Sequence, residues 1–251
     1  MDWFHKVDPN WLAARKNYLC ASDFIKLLPT TPTGRARPNM DGAYLSVWAE
    51  KQCGVAAENI ISRGVMARGH ILETYALHEV NVPGFLPDHL YHWDDAMVTR
   101  NGVSCSPDAL DLKQPPIDKC VFAHVTVPAT MVGEVKAYSA AAHYEAALTP
   151  KEKLMERWQL ATAFYIMPTI NLGALIFYNP SANHPLFIQQ YSRADLTDEL
   201  ILIEEILTEY FKRAADFDES FDLSCITKSC RSEREIIEEL EALREQCELN
   251  P

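Results

Sequence analysis

The 251-residue sequence has no apolar run long enough to cross a membrane and no Cys-x-x-Cys pair. A spanning helix needs roughly 18 or more consecutive apolar residues, so no transmembrane segment is predicted. The N-terminus lacks a basic stretch followed by an apolar core, and no signal peptide is expected. A glycine-rich phosphate loop and a Gly-x-Ser-x-Gly elbow are absent as well, so neither motif assigns an enzyme class.

The cysteines are few and scattered. Their number, seven, is odd, which is typical of a chain kept in a reducing compartment, and we expect a cytoplasmic protein. Cys225 and Cys230 are too far apart in sequence to form a Cys-x-x-Cys knuckle. No zinc site is therefore expected.

An excess of positive charge is also lacking, because the formal net charge is −12. That counts against a general nucleic-acid binder, whose affinity comes largely from Lys and Arg on phosphates. The charge is unevenly distributed, however, and the chain is strongly acidic from Asp195 onward. A basic N-terminal part and an acidic C-terminal part would steer DNA to one side of the protein. The basic residues of the N-terminal part are Arg15, Lys16, Lys26, Arg35, Arg37, Lys51, Arg63 and Arg68.

The most informative pattern is an aspartate followed by a β-rich run that carries a Glu-x-Lys pair. Asp108 lies in Ser106-Pro107-Asp108-Ala109-Leu110, and Glu134 and Lys136 lie in the run 131–136. Because strand side chains alternate, Glu134 and Lys136 project to the same face. Converging carboxylates suit Mg²⁺, and a lysine beside them can polarise a metal-bound water or hold a phosphate oxygen. An exposed strand with an ordinary charge pair has the same spacing, so Glu-x-Lys alone does not define a site.

Two predicted helices place further polar groups near this pattern. The stretch 63–80 has apolar residues at helical spacing, and Glu73 lies on the same stripe. A carboxylate there is costly unless it is paired or binds a metal, although a position at the stripe's edge would let it reach water. The stretch 151–167 is also predicted to be helical, and it carries Gln159, which is either part of the site or solvated.

The N-terminal segment contains Trp11, Arg15 and Ala21-Ser22, with the arginine and the serine seven residues apart. Ser22 can cap a short helix, contact a phosphate, or do both. The loop 29–39 is broken by prolines and a glycine and carries Arg35 and Arg37. These two arginines either contact DNA or are simply solvated.

Together the segments resemble the lambda-exonuclease-like (YqaJ-type) viral recombinase nucleases, a branch of the PD-(D/E)XK superfamily. The segment around Trp11, Arg15 and Ser22 looks like the family's first motif. The resemblance covers roughly residues 10–180, and its specificity comes from the order and spacing of short motifs. The further motifs that carry it are Arg68-Gly69-x-x-x-Glu73, Ser106-Pro107-Asp108, Glu134-Val135-Lys136 and Gln159.

The resemblance implies a role for each matching residue. Glu73, Asp108 and Glu134 would bind Mg²⁺ or Mn²⁺, Lys136 would assist catalysis, and Gln159 would support the site. Arg15 and Ser22 would help to hold a DNA 5′-phosphate, and we group Arg35, Arg37 and Arg68 with them as DNA contacts. Some related nucleases carry a four-cysteine iron–sulfur cluster, but the cysteines here are not clustered as that cluster needs, so none is expected.

The sequence departs from the family pattern in two places. The family has a short hairpin between the aspartate and the Glu-x-Lys pair, whereas residues 112–132 stand here and include a β-rich run, 121–127. This segment looks like an insertion that extends the hairpin, and it puts the pairing of Asp108 with Glu134 in question. The family's Ser-Pro-Asp-Gly is Ser-Pro-Asp-Ala here, so Ala109 must take ordinary φ, whereas glycine could take positive φ.

A strand is predicted over 91–99, a hairpin turn at Asn101-Gly102, and helices over 11–18 and 231–248. The expected fold is α/β, with a mixed central sheet flanked by helices in a restriction-endonuclease-like core. We expect one nuclease domain over 1–251, with the core at 10–192 and amphipathic helices at 193–251. The expected activity is Mg²⁺-dependent 5′→3′ exonuclease action on duplex DNA ends, which exposes single strands for a phage-type annealing protein. A homotrimeric ring around DNA is the expected assembly. The alternatives are an endonuclease on the same core and a catalytically inactive module that binds DNA ends or a recombination partner.

Overall fold

The computed structural model describes residues 16–30, 35–53, 63–93, 97–112, 121–123 and 128–220. The chain divides into two compact units, Met1–Lys212 and Arg213–Pro251, and the described part of the second unit is the end of one helix. The single nuclease domain over 1–251 therefore stays a prediction. Within the described ranges, no helix is both long and apolar enough to cross a membrane.

Six helices and eight strands are formed by the described residues. The helices are α1 Ala21–Leu27, α2 Met40–Cys53, α3 Arg63–Val80, α4 Ala140–Leu148, α5 Arg157–Ile166 and α6 Thr197–Ser220, with short 3₁₀ turns at Lys151–Lys153 and Ala194–Leu196. The strands are β1 Tyr91–His92, β2 Met97–Arg100, β3 Val103–Cys105, β4 Ala109–Leu110, β5 Val121–Ala123, β6 Met131–Lys136, β7 Leu172–Tyr178 and β8 Leu186–Ser192.

The central sheet has five strands in the order β1-β4-β6-β7-β8. It is mixed, because β6 and β7 are parallel and the other pairs are antiparallel. The strands β6 and β7 are buried along most of their length, which explains their near-continuous apolar sequences. The predicted α/β class with a mixed central sheet is therefore confirmed.

The two faces of the sheet pack against different helices. On one face, Ala76, Leu77 and Val80 of α3 join a core that includes Met131 and Val135 of β6. On the other face β7 meets α5, and a Cβ at Gly173 would lie 2.9 Å from the Phe164 ring and 3.0 Å from Leu160. Glu134 and Lys136 belong to this second face because strand side chains alternate.

The residues around Asn101-Gly102 form the predicted tight hairpin turn between β2 and β3. Asn101 has φ 50° and Gly102 has φ 79°, which are the two positive values that a type I′ turn needs. The prediction of one strand over 91–99 is wrong, because β1 pairs with β4 in the central sheet while β2 joins a second, three-stranded sheet. Three of the four residues of β2 are buried, whereas both residues of β1 are half-buried.

The insertion between Asp108 and Glu134 does not extend the hairpin, contrary to the prediction. Its strand β5 runs parallel to β2 in the second sheet, so β5 is not part of the central sheet. The strands β4 and β6 pair directly, with Ala109 opposite Gly133 and Leu110 opposite Val132. Ala109 is not among the described residues with positive φ, as its replacement of glycine requires.

The stretch 151–167 is also not one helix. It forms the 3₁₀ turn Lys151–Lys153, breaks at Leu154, and continues as α5. Leu154 has extended backbone (φ −68°, ψ 121°) and a buried side chain, so packing outweighs the helix propensity of its polar neighbours. The helix predicted over 231–248 lies outside the described residues, as does 11–15 of the helix predicted over 11–18, whose last three residues form a turn and a bend.

Candidate active site

The carboxylate of Asp108 is fixed directly against β6. Asp108 precedes β4, and its Oδ2 accepts a hydrogen bond of 2.7 Å from the backbone N–H of Val135. The register that places Ala109 opposite Gly133 brings Asp108 beside Glu134. The pairing that the inserted segment put in question is therefore present.

The carboxylate of Glu134 is held by two donors. Its Oε1 accepts a hydrogen bond of 2.6 Å from Lys136 Nζ and one of 2.5 Å from Gln159 Nε2. The lysine stands two residues along the same strand, as the period-two pattern predicts, and the glutamine comes from the first turn of α5. Glu134 is 6% exposed, so these donors compensate a carboxylate that has lost most of its water.

The acidic side chains act on one another electrostatically. Burial raises the pKa of Asp108, and the charges of Glu134 and Glu73 raise it further, while Lys136 and the Val135 N–H oppose the shift. Burial lowers the pKa of Lys136, but Glu134 and Asp108 outweigh burial, and the pKa of that ammonium stands above its usual value. Lys136 is therefore protonated at neutral pH, which favours a role in orienting water or phosphate over a role as a base.

Glu73 belongs to α3, and its charge acts on the pKa of Asp108 in the opposite direction to the charge of Lys136. Its Oε2 lies 3.8 Å from His92 Nε2, and its side chain is 17% exposed. Its charge is one of the causes that raise the pKa of Asp108, after burial and the charge of Glu134. Glu73 is thus half-buried and has His92 beside it. A carboxylate on an apolar stripe needs such a partner, because its burial is otherwise costly.

A cavity of about 450 Å³ opens beside Glu134 and brings several predicted site residues together. Glu134, Lys136 and Gln159 line it, and Ser22 of α1 lines it as well. Apolar side chains such as Met97 and Met155 complete the wall. The first-motif serine and the Glu-x-Lys pair, which are more than a hundred residues apart in sequence, thus share one space.

The capping interpretation of Ser22 is wrong, because α1 begins at Ala21 and Cys20 is its N-cap. Asp23 instead turns back to the start of the helix, where its Oδ2 accepts a hydrogen bond of 3.0 Å from the Cys20 N–H. The Ser22 hydroxyl lies 3.1 Å from Cys20 Sγ and remains exposed. A phosphate contact for Ser22 stays a prediction.

The predicted DNA-contacting arginines have separate locations. Arg15 lies outside the described residues, and Arg35 and Arg68 are exposed. The Arg37 guanidinium is directed to the end of α1, where its Nη2 donates a hydrogen bond of 3.0 Å to the carbonyl of Ile25. Their contacts with DNA stay predictions, and Arg37 also has a structural role.

The cavity lining also includes residues that the motifs did not single out, among them Cys20, Cys105, Tyr138 and Glu156. The Tyr138 hydroxyl donates a hydrogen bond to Glu156 Oε1. Burial, with the charges of Glu134 and Cys20, raises the pKa of the Cys105 thiol, which therefore stays protonated. Sequence reasoning had one available signal, because Tyr138 is two residues after Lys136 and Glu156 is three residues before Gln159.

The carboxylates of Asp108 and Glu134 are the oxygen donors available to the Mg²⁺ that the resemblance implies. Asp108 and Glu134 each engage one oxygen in the hydrogen bonds described above, which leaves Asp108 Oδ1 and Glu134 Oε2 outside those bonds. Mg²⁺ is bound through one or two carboxylates and keeps several waters, so this pair fits it. In the part of the chain that the structure describes, no three His, Cys, Asp or Glu side chains are grouped to hold a metal, and Glu73 stays a predicted ligand.

No protein-family model matches the sequence, and no curated protein matches it. The structure is similar, however, to the crystal structure of LHK-Exo, an alkaline exonuclease from Laribacter hongkongensis, with a TM-score of 0.57 and 16% identity. The chain has the fold of this exonuclease. A second crystal structure, of LHK-Exo in complex with dAMP, gives a TM-score of 0.55 and 17% identity. Each comparison covers 85% of this chain and 97% of the other, so the shared fold includes nearly all of LHK-Exo.

The raised pKa of Asp108 makes a prediction about stability. In the unfolded chain this carboxyl ionises near pH 4, whereas the folded protein ionises it only at higher pH and at a cost. Asp108→Asn removes that cost and leaves an acceptor for the Val135 N–H. At pH 8 and without metal we expect the variant's Tm to rise by about 2–4 °C, which is roughly 1 kcal/mol for a chain of this size.

The rise in Tm of Asp108→Asn should shrink as the pH falls. It should vanish below about pH 4, where the wild-type carboxyl is protonated in both the folded and the unfolded state. Differential scanning calorimetry between pH 5 and pH 8 measures it, with Asp88→Asn as the matched control, because Asp88 is exposed in the turn region after α3. A lower Tm for Asp108→Asn at pH 8 would show that the ionised Asp108 carboxylate does not destabilise the folded protein.

Proposed function

We propose that the protein is a metal-dependent deoxyribonuclease that removes nucleotides from the ends of linear duplex DNA in the 5′→3′ direction. The observation that carries the proposal is the cavity that Glu134, Lys136, Gln159 and Ser22 line together. An exonuclease needs the cleaving residues and the residues that hold the terminal phosphate in one place, because the cleaved bond is next to that phosphate. The structural similarity to an alkaline exonuclease, which extends over 97% of that chain, also supports an exonuclease.

The residues of the site would divide the work. Asp108 and Glu134 would hold Mg²⁺ or Mn²⁺, which lowers the pKa of a bound water and stabilises the charge on the reacting phosphate. Lys136, protonated and 2.6 Å from Glu134, would orient the attacking water or a phosphate oxygen as a fixed positive charge. Gln159 would keep the Glu134 carboxylate in one orientation through its 2.5 Å hydrogen bond.

The cavity also supports the choice of a nucleotide end as substrate. Its volume of about 450 Å³ is in the range of small-ligand sites, and both charged and apolar side chains line it. The apolar side chains, among them Met97 and Met155, would contact a base or sugar, and the polar side chains would contact the phosphate. The neighbour's crystal structure in complex with dAMP shows that LHK-Exo binds a nucleotide.

Two other functions use the same fold. An endonuclease would place the Asp, Glu and Lys against an internal phosphate and would need no contact with a chain end. A catalytically inactive module would bind DNA ends without cleaving them, but the Asp108, Glu134, Lys136 and Gln159 arrangement argues against it. The exonuclease is preferred because Ser22 shares the cavity with the Glu-x-Lys pair.

The biological setting and assembly belong to the proposal as well. A nuclease of this kind would expose single strands for an annealing protein during phage-type recombination. With a net charge of −12, one subunit would hold DNA weakly at physiological salt. A homotrimeric ring would retain the DNA by enclosing it, and for this reason we propose a trimer.

The proposal is tested by digesting DNA in vitro. With Mg²⁺, linear duplex should be degraded to nucleotides, covalently closed circles should survive, and EDTA should stop the reaction. Glu134→Ala should abolish degradation, because it removes a metal-binding carboxylate, whereas Glu145→Ala, which changes an exposed glutamate of α4, should not. Rapid cutting of circles would favour the endonuclease, and binding of ends without any degradation would favour the inactive module.

End recognition makes a separate prediction. If Ser22 and Arg15 hold a terminal phosphate, 5′-phosphorylated duplex should be degraded faster than the 5′-hydroxyl form. Ser22→Ala should reduce the difference and Arg15→Ala should erase it, because arginine provides charge-assisted bidentate contacts. Ser46→Ala, on an exposed position of α2, is the control. Initial rates on the two duplexes measure the preference, and equal rates in the wild type would contradict phosphate recognition.

A further inference from the structure

A hydrogen bond outside the predicted motifs joins the two elements that carry the site. The hydroxyl of Tyr138 donates to Oε1 of Glu156, and both side chains line the cavity. Tyr138 stands two residues after Lys136, just past the end of β6, and Glu156 immediately precedes α5. The bond therefore connects the strand of Glu134 and Lys136 to the helix of Gln159.

Tyr138 is fixed on the strand side by two other contacts. Its carbonyl accepts a hydrogen bond of 2.9 Å from Nδ2 of Asn179, a buried residue that follows β7. Its ring packs against Phe177, with ring centroids 5.8 Å apart. The phenol is thus held in place by the sheet, and its hydroxyl can act as a fixed donor toward α5.

Glu156 is linked to Gln159 by one helical turn. The Gln159 N–H lies 3.0 Å from the Glu156 carbonyl and donates to it, so a shift of Glu156 moves the start of α5 and with it the Gln159 side chain. Gln159 in turn holds Glu134 at 2.5 Å. The contacts form a closed path that runs from β6 through Tyr138, Glu156 and Gln159 back to Glu134.

We propose that Tyr138 and Glu156 are positioning residues for the cleavage reaction, because their hydrogen bond holds Gln159 at the distance from which it orients Glu134. The inference rests on the proposed function. Burial raises the pKa of the Tyr138 phenol, and the hydrogen bond and charge of Glu156 raise it further, so the hydroxyl remains a donor at all ordinary pH values. Neither residue needs to touch the reacting phosphate for this role.

A direct role for the charge of Glu156 is the competing explanation. Its carboxylate faces a cavity that would receive a polyanion, and its charge is among the causes that raise the pKa of Lys136. The two explanations differ in what Glu156→Gln does. A glutamine keeps an acceptor oxygen for the Tyr138 hydroxyl and removes the charge, whereas Glu156→Ala removes both.

Steady-state cleavage of a short duplex distinguishes them. Tyr138→Phe and Glu156→Ala should lower kcat about tenfold or more with KM for DNA nearly unchanged, as expected when reacting groups are misplaced. Glu156→Gln should retain a kcat close to that of the wild type. Tyr144→Phe is the matched control, because it removes an exposed hydroxyl that accepts a hydrogen bond of 3.1 Å from the Asn183 N–H and is not part of the cavity lining, and its kcat should not change.

The path through Gln159 is tested by a double-mutant cycle. If Tyr138 acts through Gln159, Tyr138→Phe should lower kcat by a much smaller factor in a Gln159→Ala background than in the wild type. Equal fold-losses in the two backgrounds would overturn the inference, and so would a Glu156→Gln enzyme as impaired as Glu156→Ala. A Tyr138→Phe enzyme with wild-type kcat would overturn it as well.

A measurement without DNA keeps this inference separate from the proposed function. The side-chain amide signal of Gln159 in a ¹H–¹⁵N spectrum can be assigned by its loss in Gln159→Ala. Tyr138→Phe should shift it toward the position of amides that make no hydrogen bond, and Tyr144→Phe should leave it in place. If the wild type cleaves no DNA, the proposed function fails and this shift still decides the positioning role. If the wild type cleaves DNA and the signal does not move, the positioning role alone is wrong.

Discussion

The site depends on one buried carboxylate that is held by two donors. Glu134 is almost fully removed from water, and a single oxygen receives both Lys136 and Gln159. Removing a carboxylate from water is costly unless charge and hydrogen bonds compensate it. Here the compensation falls on one oxygen, so the second oxygen keeps a defined direction. The neighbouring Asp108 adds a second carboxylate, whose pKa is raised by burial and then by the charge of Glu134.

The fold supplies the rigidity that this arrangement needs. The strand β6 is paired on both sides, antiparallel to β4 and parallel to β7, so Glu134 and Lys136 are attached to the interior of the sheet. The helix α5 packs closely on β7, where Gly173 leaves room for Phe164 and Leu160. At its far end, Arg193 Nη2 donates to four carbonyls, those of Phe164, Met167, Pro168 and Ile170. A helix fixed at both ends can hold Gln159 against Glu134.

Local rules predicted the parts of the structure that depend on neighbours in sequence. Period-two alternation placed Glu134 and Lys136 on one face, apolar spacing gave the helix Arg63–Val80, and Asn101-Gly102 gave the turn. The order of the short motifs gave the resemblance to a nuclease fold, which the structure shares with LHK-Exo. The roles of the individual site residues stay predictions.

The parts that sequence could not give depend on long-range packing. The run 91–99 divides between two sheets, and the inserted strand β5 pairs with β2, because pairing partners far apart in sequence compete for each apolar segment. Leu154 breaks a helical pattern because burial favours an extended residue there. Tyr138 and Glu156 are 18 residues apart, and although each is spaced like a neighbour of a motif residue, that spacing does not show that the two side chains meet.

We propose that Asp108 and Glu134 together hold the metal ion, with Glu134 in the wall of the cavity. Titration of the DNA-free protein with Mn²⁺, followed by electron paramagnetic resonance of the free ion, tests it most directly. We predict that the wild type binds Mn²⁺ and that the double variant Asp108→Asn, Glu134→Gln loses this binding while remaining folded. Equal Mn²⁺ binding by the wild type and the double variant would place the metal elsewhere and contradict the account.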